Sequence, residues 1–333
     1  MKRVVGIGNA LTDMLVSISS DTVLQEYGLP KGSMSLVDGE LQTKISKAVA
    51  GAPHSLSLGG SAGNTIRCMA RLGTRVGFIG KVGDDGTGEF YEQALRNVGV
   101  EPFMLHSDKR SGKCLSLVSA DGERTLVTHL GAAADMHKED ISPAMFEGYD
   151  CLYVEGYLVQ DHELIRSTVE RAKMQGLCVA LDLASFNVVE ENRDFLRRLV
   201  ADYVDIIFAN EDEARAFTGE AEPREALLHI ARMCDIAVVK IGMRGALIKR
   251  GDEELRVGIM EAAKRIDTTG AGDFYAAGFL VALCEGLDLR QCGTLGAIAA
   301  GKVIEVVGTT FGEEAWSEIF RLYDEVRNRS LLF

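Results

Sequence analysis

The run Asp267-Thr268-Thr269-Gly270-Ala271-Gly272-Asp273 holds residue types that could move a proton beside a bound anion. Phe274, Ala277, Gly278 and Val281 follow at i, i+3, i+4, i+7 spacing. That spacing predicts a buried helix face and sets Asp273 at the helix N-terminus. A Gly-Ala-Gly turn there offers the consecutive N–H groups of Gly270, Ala271 and Gly272 to an anion, assisted by the positive end of the helix dipole. A carboxylate in such a place repels an anion. It serves better as a general base that takes a proton from a hydroxyl while the anionic group is held still. The chemistry this describes is phosphoryl transfer to an alcohol. The same seven residues also describe an ordinary helix N-cap behind a glycine turn, and the rest of the chain weighs between the two.

Three further segments have the right residue types. Gly59-Gly60-Ser61-Ala62-Gly63-Asn64-Thr65 opens a helical stretch, where glycines let a substrate approach the backbone and Asn64 can donate to and accept from hydroxyls. Asn210-Glu213 follows a strand-like run at a spacing that shares one helical face, which suits largely water-mediated Mg²⁺ near phosphates. It equally suits an acidic first turn complementing the helix dipole. Lys240-Ile241-Gly242-Met243-Arg244-Gly245 also follows a strand, and its glycines could border a nucleotide or form a plain hairpin. Asp13 lies just beyond the first strand and suits bidentate contact with two sugar hydroxyls. Gly6 and Gly8 mimic a dinucleotide fingerprint, but position 11 is Leu, and no Walker-type loop occurs. The six histidines form no ligand cluster by spacing; His54 and His129 fall on the segments read below as a lid.

The elements that must position these residues read as a doubly wound, mostly parallel α/β sheet. Apolar runs at Val4–Ile7, Val76–Ile79, Cys151–Val154, Val179–Leu181, Ile206–Ala209 and Ala237–Ile241 alternate with amphipathic stretches such as Asn64–Leu72, Gly88–Val98 and His162–Met174. Two regions break the rhythm: Leu15–Leu58, and the hairpin-like Gly112–His129 with a turn at Asp121-Gly122. They predict a small antiparallel β-sheet lid. The expected division is a core of residues 1–14, 59–110 and 131–333 and a discontinuous lid of 15–58 and 111–130.

Composition narrows the partners. With 49 acidic and 36 basic residues among 333, the formal charge is −13, which disfavours nucleic acid and anionic membranes. The seven cysteines are scattered without a Cys-x-x-Cys pair, as in a chain kept in a reducing cytoplasm. The N-terminus enters a strand at once, without the apolar stretch of a signal peptide, and no segment approaches a membrane span, so the expected location is cytoplasmic. Alternating lid strands could pair between copies, leaving a monomer or a homodimer through the lid as the expected states.

Taken together, GGSAGNT, GKVGDDGTG, NEDE, VKIGMRG and DTTGAGD resemble, in order and spacing, the PfkB/ribokinase family of carbohydrate and nucleoside kinases. The resemblance covers essentially the whole chain and is most specific at 59–83 and 267–279. It implies a ribokinase-like fold with a β-sheet lid, MgATP as donor and in-line transfer to a primary hydroxyl. It makes Asp273 the base, Gly270, Ala271 and Gly272 the anion hole, and Asn210 and Glu213 the organisers of Mg²⁺ and phosphate. It further sets Lys240, Gly242 and Gly245 beside the nucleotide and Asp13, Gly59, Gly60 and Asn64 on the acceptor. Asp267, Thr269 and the backbone near 303–308 resemble a monovalent-cation (K⁺) site. The N-terminal Gly8-Asn9-Ala10-Leu11-Thr12-Asp13 is similar to the pattern of adenosine kinases, with Ala10 where Pro is usual, which adds Asn9 to the acceptor residues. The segment 182–192 resembles their loop over the base and assigns Phe186 to stacking. The resemblance therefore implies a nucleoside acceptor, adenosine first, with a sugar kinase for ribose, fructose or 2-keto-3-deoxygluconate as the alternative. Lys109, Arg110 and Arg124 are the basic residues that a sugar acid would use.

Overall fold

The structure, a computed structural model, describes residues 2–121, 123–262 and 264–333, and the side chains of Met34 and Arg124 are not described. The chain begins with β1 (Val4–Ile7) and leaves for a smaller sheet with β2 (Leu11–Ser17), β3 (Met34–Leu36) and β4 (His54–Leu58). It returns for β5 (Val76–Gly83) and β6 (Val100–Ser107), leaves again for β7 (Gly112–Val118) and β8 (Arg124–His129), and then completes the large sheet. The completing strands are β9 (Cys151–Glu155), β10 (Cys178–Asp182), β11 (Ile206–Asn210), β12 (Ile236–Lys240), β13 (Ala246–Arg250) and β14 (Glu253–Val257).

The large sheet has the order β14-β13-β12-β11-β10-β9-β1-β5-β6. Strands β6 through β12 in that row run parallel, and β13 and β14 add an antiparallel edge. Successive residues serve opposite faces, as strand geometry requires. In β9, Cys151 and Tyr153 enter one core while Leu152 and Val154 enter the other. Both faces are covered, which is why these strands read as near-continuous apolar runs. Helices α1 (Thr22–Glu26) and α2 (Gly39–Ala48) belong to the small sheet, whose own core holds Val16, Leu24, Ile45, Leu115 and Val127. One face of the large sheet carries α3 (Ser61–Arg71) and α4 (Gly86–Asn97), and the other carries α5 (His162–Met174), α6 (Phe186–Tyr203), α7 (Glu211–Thr218) and α8 (Pro223–Ile230). The chain then returns to the first face with α9 (Ala271–Cys284), α10 (Leu289–Val303) and α11 (Glu313–Arg327). The order reverses between β1 and β9, and a crevice at the carboxyl ends beside such a switch point is where open α/β sheets bind ligands.

The small sheet corrects two expectations. Its order is β3-β8-β7-β2-β4, and it is mixed: β2 pairs with β7, and β3 with β8, in parallel. Only a short turn forces neighbours to be antiparallel; β7 is reached from β6 of the core and so is free to align with β2. The sheet also begins at Leu11, because Leu11–Met14 pair with Gly112–Leu115 and Thr12–Met14 with Leu56–Leu58. Residues 11–14 are thus strand in the small sheet, where the sequence reading left them to the core. Antiparallel β7 and β8 meet at the expected hairpin, but Gly122 of its turn lies outside the described residues. Among the described residues, no helix is long and apolar enough to cross a membrane.

Candidate active site

A cavity of about 1150 Å³ opens at the carboxyl ends of the large sheet, beneath the small one. Four adjacent strands deliver polar residues to this edge as they end: Glu155 on β9, Asp182 on β10, Asn210 on β11 and Lys240 on β12. The starts of α3 and α9 close it from the side.

Asp273 lies in the first turn of α9. Its Oδ1 accepts from Ser61 Oγ at 2.7 Å and its Oδ2 from Asn64 Nδ2 at 2.9 Å. Burial pushes its carboxyl up to about 6, with Asp182 adding to the rise, while Asn64, Ser61 and Lys240 oppose it. Gly270 before it adopts φ 76°, which L-residues avoid, and a Cβ there would lie 2.6 Å from Thr309 Cγ2. The Ala271 N–H turns back onto the Thr268 carbonyl at 3.2 Å. It is therefore spent within the turn, contrary to the expectation of three converging N–H groups, which leaves that expectation to the Gly270 and Gly272 N–H groups. A Cβ on Gly272 would lie 3.1 Å from Lys240 Nζ, so the ammonium lies directly against this turn.

Lys240 Nζ donates to Asp182 Oδ2 at 3.1 Å. Burial works against its charge, but Asp182, Glu213 and Asp273 hold its pKa above the ordinary value. Asn210 and Glu213 form a reciprocal cap of α7: Glu213 N–H donates to Asn210 Oδ1, and Asn210 N–H and Nδ2 donate to the two oxygens of Glu213. Burial raises the Glu213 carboxyl to about 7. Gly242 and Gly245 bracket the turn from β12 to its antiparallel neighbour β13, so the hairpin and the cavity rim are one structure.

Of the sequence-derived residues, Asp13, Gly60, Asn64, Asn210, Glu213, Lys240, Gly242, Gly245 and Thr269 through Asp273 line the one cavity. Gly59 stands behind Asp13: a Cβ on it would lie 2.3 Å from the Asp13 carboxylate. Asn9 does not line the cavity. Its N–H and Nδ2 donate to Glu155 Oε1 at 3.0 and 2.6 Å. Phe186 is half exposed at the start of α6 and does not line the cavity either. The positive φ of Ala184 and the extended Ser185 begin the helix on a course that leaves this ring outside. Asp267 accepts from the Thr269 N–H and hydroxyl through Oδ1 and from the Gly308 N–H through Oδ2, which ties together the segments expected to hold a monovalent cation. Lys109 and Arg110 line a separate depression, and Lys109 pairs with Asp135. Among the described residues, no cluster of three His, Cys, Asp or Glu could hold a metal by itself.

Sequence reasoning missed Glu155, Asp182, Ser61, Arg67 and Thr309. Glu155 is buried, burial pushes its carboxyl up to about 7, and it accepts from Ala62 N–H as well as from Asn9. Ser61 carried a signal: Gly59-Gly60-Ser61-Ala62-Gly63 also spells the Gly-x-Ser-x-Gly of nucleophilic serines. Here the serine hydroxyl is given to Asp273, and no histidine is among the residues lining the cavity to activate it as a nucleophile.

An aspartate at a helix start, with a glycine turn before it and a lysine against that turn, stands at the carboxyl edge of a doubly wound sheet of ribokinase-like fold. The chain belongs to the pfkB family of carbohydrate kinases, which it matches over residues 41–316. A crystal structure of a probable sugar kinase from Rhizobium etli CFN 42 is similar with a TM-score of 0.87 at 30% identity, covering 96% of this chain and 98% of the other. The adenosine kinase from Sinorhizobium meliloti has a TM-score of 0.86 at 33% identity, covering 96% and 99%. The adenosine kinase of Saccharomyces cerevisiae is 28% identical over 330 residues, 92% of this chain and 96% of that one.

Proposed function

We propose that the chain transfers the γ-phosphoryl group of ATP to a primary hydroxyl of a nucleoside, adenosine in the first place. Kinases of this family take ATP as donor, typically with Mg²⁺. The observation that carries the reading is Asp273, oriented by Ser61 and Asn64 and raised to about 6, next to the Gly270–Gly272 turn and Lys240. In the proposed step the acceptor oxygen attacks the γ-phosphorus and the bond to the bridging oxygen of ADP breaks. The hydroxyl proton passes to Asp273. The N–H groups of Gly270 and Gly272 and the Lys240 ammonium meet charge on the transferring group; such preorganised donors do most of the work in phosphoryl transfer. Gly242 and Gly245 border the nucleotide. Mg²⁺ bound with ATP would supply charge neutralisation on the phosphates, and Glu213 and Asn210 would hold it through water. Asp267 and Thr269 are the residues that would hold K⁺.

The acceptor assignment rests on the wall opposite. Leu11, Leu15, Leu56 and Leu58 of the small sheet line the cavity near Asp13 and Asn64. An apolar wall suits a planar base, whereas a free sugar offers mainly hydroxyls. Likeness to two adenosine kinases over nearly full length supports the same choice. A sugar or sugar acid is the second reading, favoured by Arg67 and Arg265 on the cavity wall. The test is ADP release from MgATP with adenosine, inosine, ribose, fructose and 2-keto-3-deoxygluconate, with Asp273→Asn as control. We expect turnover with adenosine and a loss in the variant on the order of 10²–10⁴, the usual worth of a positioned base. Turnover with a sugar alone overturns the acceptor, and near-normal turnover in the variant overturns the base.

A further inference from the structure

The Asn64 amide could face either way, since its two ends are nearly the same shape and only the hydrogen-bond network distinguishes them. Its Nδ2 donates to Asp273 Oδ2 at 2.9 Å. Its Oδ1 accepts from Arg67 Nη2 at 2.6 Å and from Thr309 Oγ1 at 3.1 Å. Arg67 Nη2 also donates to Thr309 Oγ1 at 3.1 Å and to the Leu58 carbonyl at 2.9 Å. A guanidinium only donates. Arg67 Nη2 has two protons, which its shortest bonds take to Asn64 Oδ1 and the Leu58 carbonyl, and the Thr309 hydroxyl adds its own proton at Asn64 Oδ1. Two donors at Oδ1 then leave the amide nitrogen to face the carboxylate.

We propose that Arg67 is a positioning residue: with Thr309 it fixes the Asn64 amide so that Asp273 receives a hydrogen bond instead of facing a carbonyl oxygen. The inference rests on Asp273 as the base. A donor to the ionised carboxylate favours that form, whereas a flipped amide would turn an oxygen against it. The route runs through residues more than 200 positions apart in sequence, Asn64 with Asp273 and Arg67 with Thr309. The other groups that face Asp273 are Asp182 on β10, Lys240 on β12, Glu155 and Tyr153 on β9, Tyr157 beyond it, and Cys68 on α3. None of them changes in the variants below.

The test reads the Asp273 carboxyl directly, by carbon NMR of protein labelled at aspartate, with the resonance assigned by its loss in Asp273→Asn. The midpoint is measured in the wild type, Arg67→Met, Asn64→Ala and the double variant. Each single change is expected to raise the midpoint from about 6, and the double variant to match Asn64→Ala alone, because Arg67 acts through Asn64. An unmoved midpoint in Arg67→Met overturns the proposal. So does a shift that persists in full without Asn64, since that is the direct effect of a removed charge. Should Arg67→Met not fold, Arg67→Ala, which leaves room for water, takes its place in both backgrounds with the same two overturning results. In turnover, Arg67→Met is expected to lower kcat about ten- to hundredfold with KM for MgATP unchanged, as loss of an orienting partner does elsewhere, and Arg67→Lys to restore part of it. The titration does not depend on turnover. Active Asp273→Asn therefore counts against the base, and an unmoved midpoint counts against Arg67.

Discussion

As the proposed base, Asp273 has to be ionised at working pH and still want a proton. Burial raises its pKa to about 6, and the donors Ser61 and Asn64 keep it from rising further. A base must be deprotonated to act, so kcat is expected to fall about tenfold per pH unit below that value and to level off above it. A profile between pH 4.5 and 8.5 reads this; a flat acid side would remove Asp273 from the step. Ser61→Ala separates the two readings of the Gly-x-Ser-x-Gly sequence. Losing one donor should move the acid limb upward and lower the plateau about tenfold or less. Loss as complete as in Asp273→Asn would instead make Ser61 the reacting group. The alanine also leaves Asp273 Oδ1 facing space, so a stability loss of about 1 kcal/mol is expected with it.

At the scale of elements, the site depends on how α9 begins. Gly270 holds φ 76° so that the chain can turn from Thr269 into the helix with Asp273 in its first turn. In Gly270→Ala the left-handed conformation costs about 1–2 kcal/mol, and the new methyl meets Thr309 Cγ2 at 2.6 Å. The expected result is a modest drop in urea midpoint with a much larger drop in kcat, because a displacement of about 1 Å at a reacting group can cost 10²-fold. A loss of stability with unchanged kcat would show that the turn is merely a link. The same turn explains what could be read from sequence. Glycines needed for backbone reasons, an aspartate just after them and an apolar run behind are local, so DTTGAGD and GGSAGNT stood out. The parallel strands were legible for a like reason: burial on both faces writes itself as unbroken Val, Ile and Leu. Glu155, Asp182 and Arg67 were not legible, because each is a single charged residue whose meaning comes from a distant partner. Glu155 meets Asn9 across 146 positions, and Lys240 meets Asp182 across 58. The mixed small sheet escaped for the same cause, since β2 and β7, neighbours in the sheet, are separated along the chain by the core strands β5 and β6. Phe186 was legible as a motif but not as a position, for the course on which α6 begins follows the positive φ of Ala184 and the extended Ser185.

On the scale of the whole molecule, the carboxyl edge of the sheet brings together three buried acids, Glu155, Glu213 and Asp273, whose effects on stability share one sign. Burial raises Glu155 and Glu213 to about 7 and Asp273 to about 6, above their unfolded values. Between about pH 4 and 7 the folded chain therefore binds more protons than the unfolded one, and stability falls as pH rises through that window. Asp85, Asp135 and Asp140 are shifted the other way. Their contribution is present above the unfolded value and is lost only as pH falls below it, outside this window. The fold is thus expected to be more stable at pH 5.5 than at 7.5, whereas a base at about 6 wants the higher pH, an opposition common where function needs buried charge. For Glu155 alone the difference between these two pH values is roughly 2 kcal/mol, and Glu155→Gln should remove about that much of the pH dependence in urea titrations. General self-repulsion from the formal charge of −13 also eases on acidification, but it is screened by salt, while a buried carboxylate is screened far less. Repeating the titrations at about 0.1 and 0.5 M salt separates the two. A pH dependence that survives high salt in the wild type and shrinks in Glu155→Gln assigns it to the buried edge. One that disappears with salt in both proteins would assign it to surface charge and leave Glu155 ionised at neutral pH.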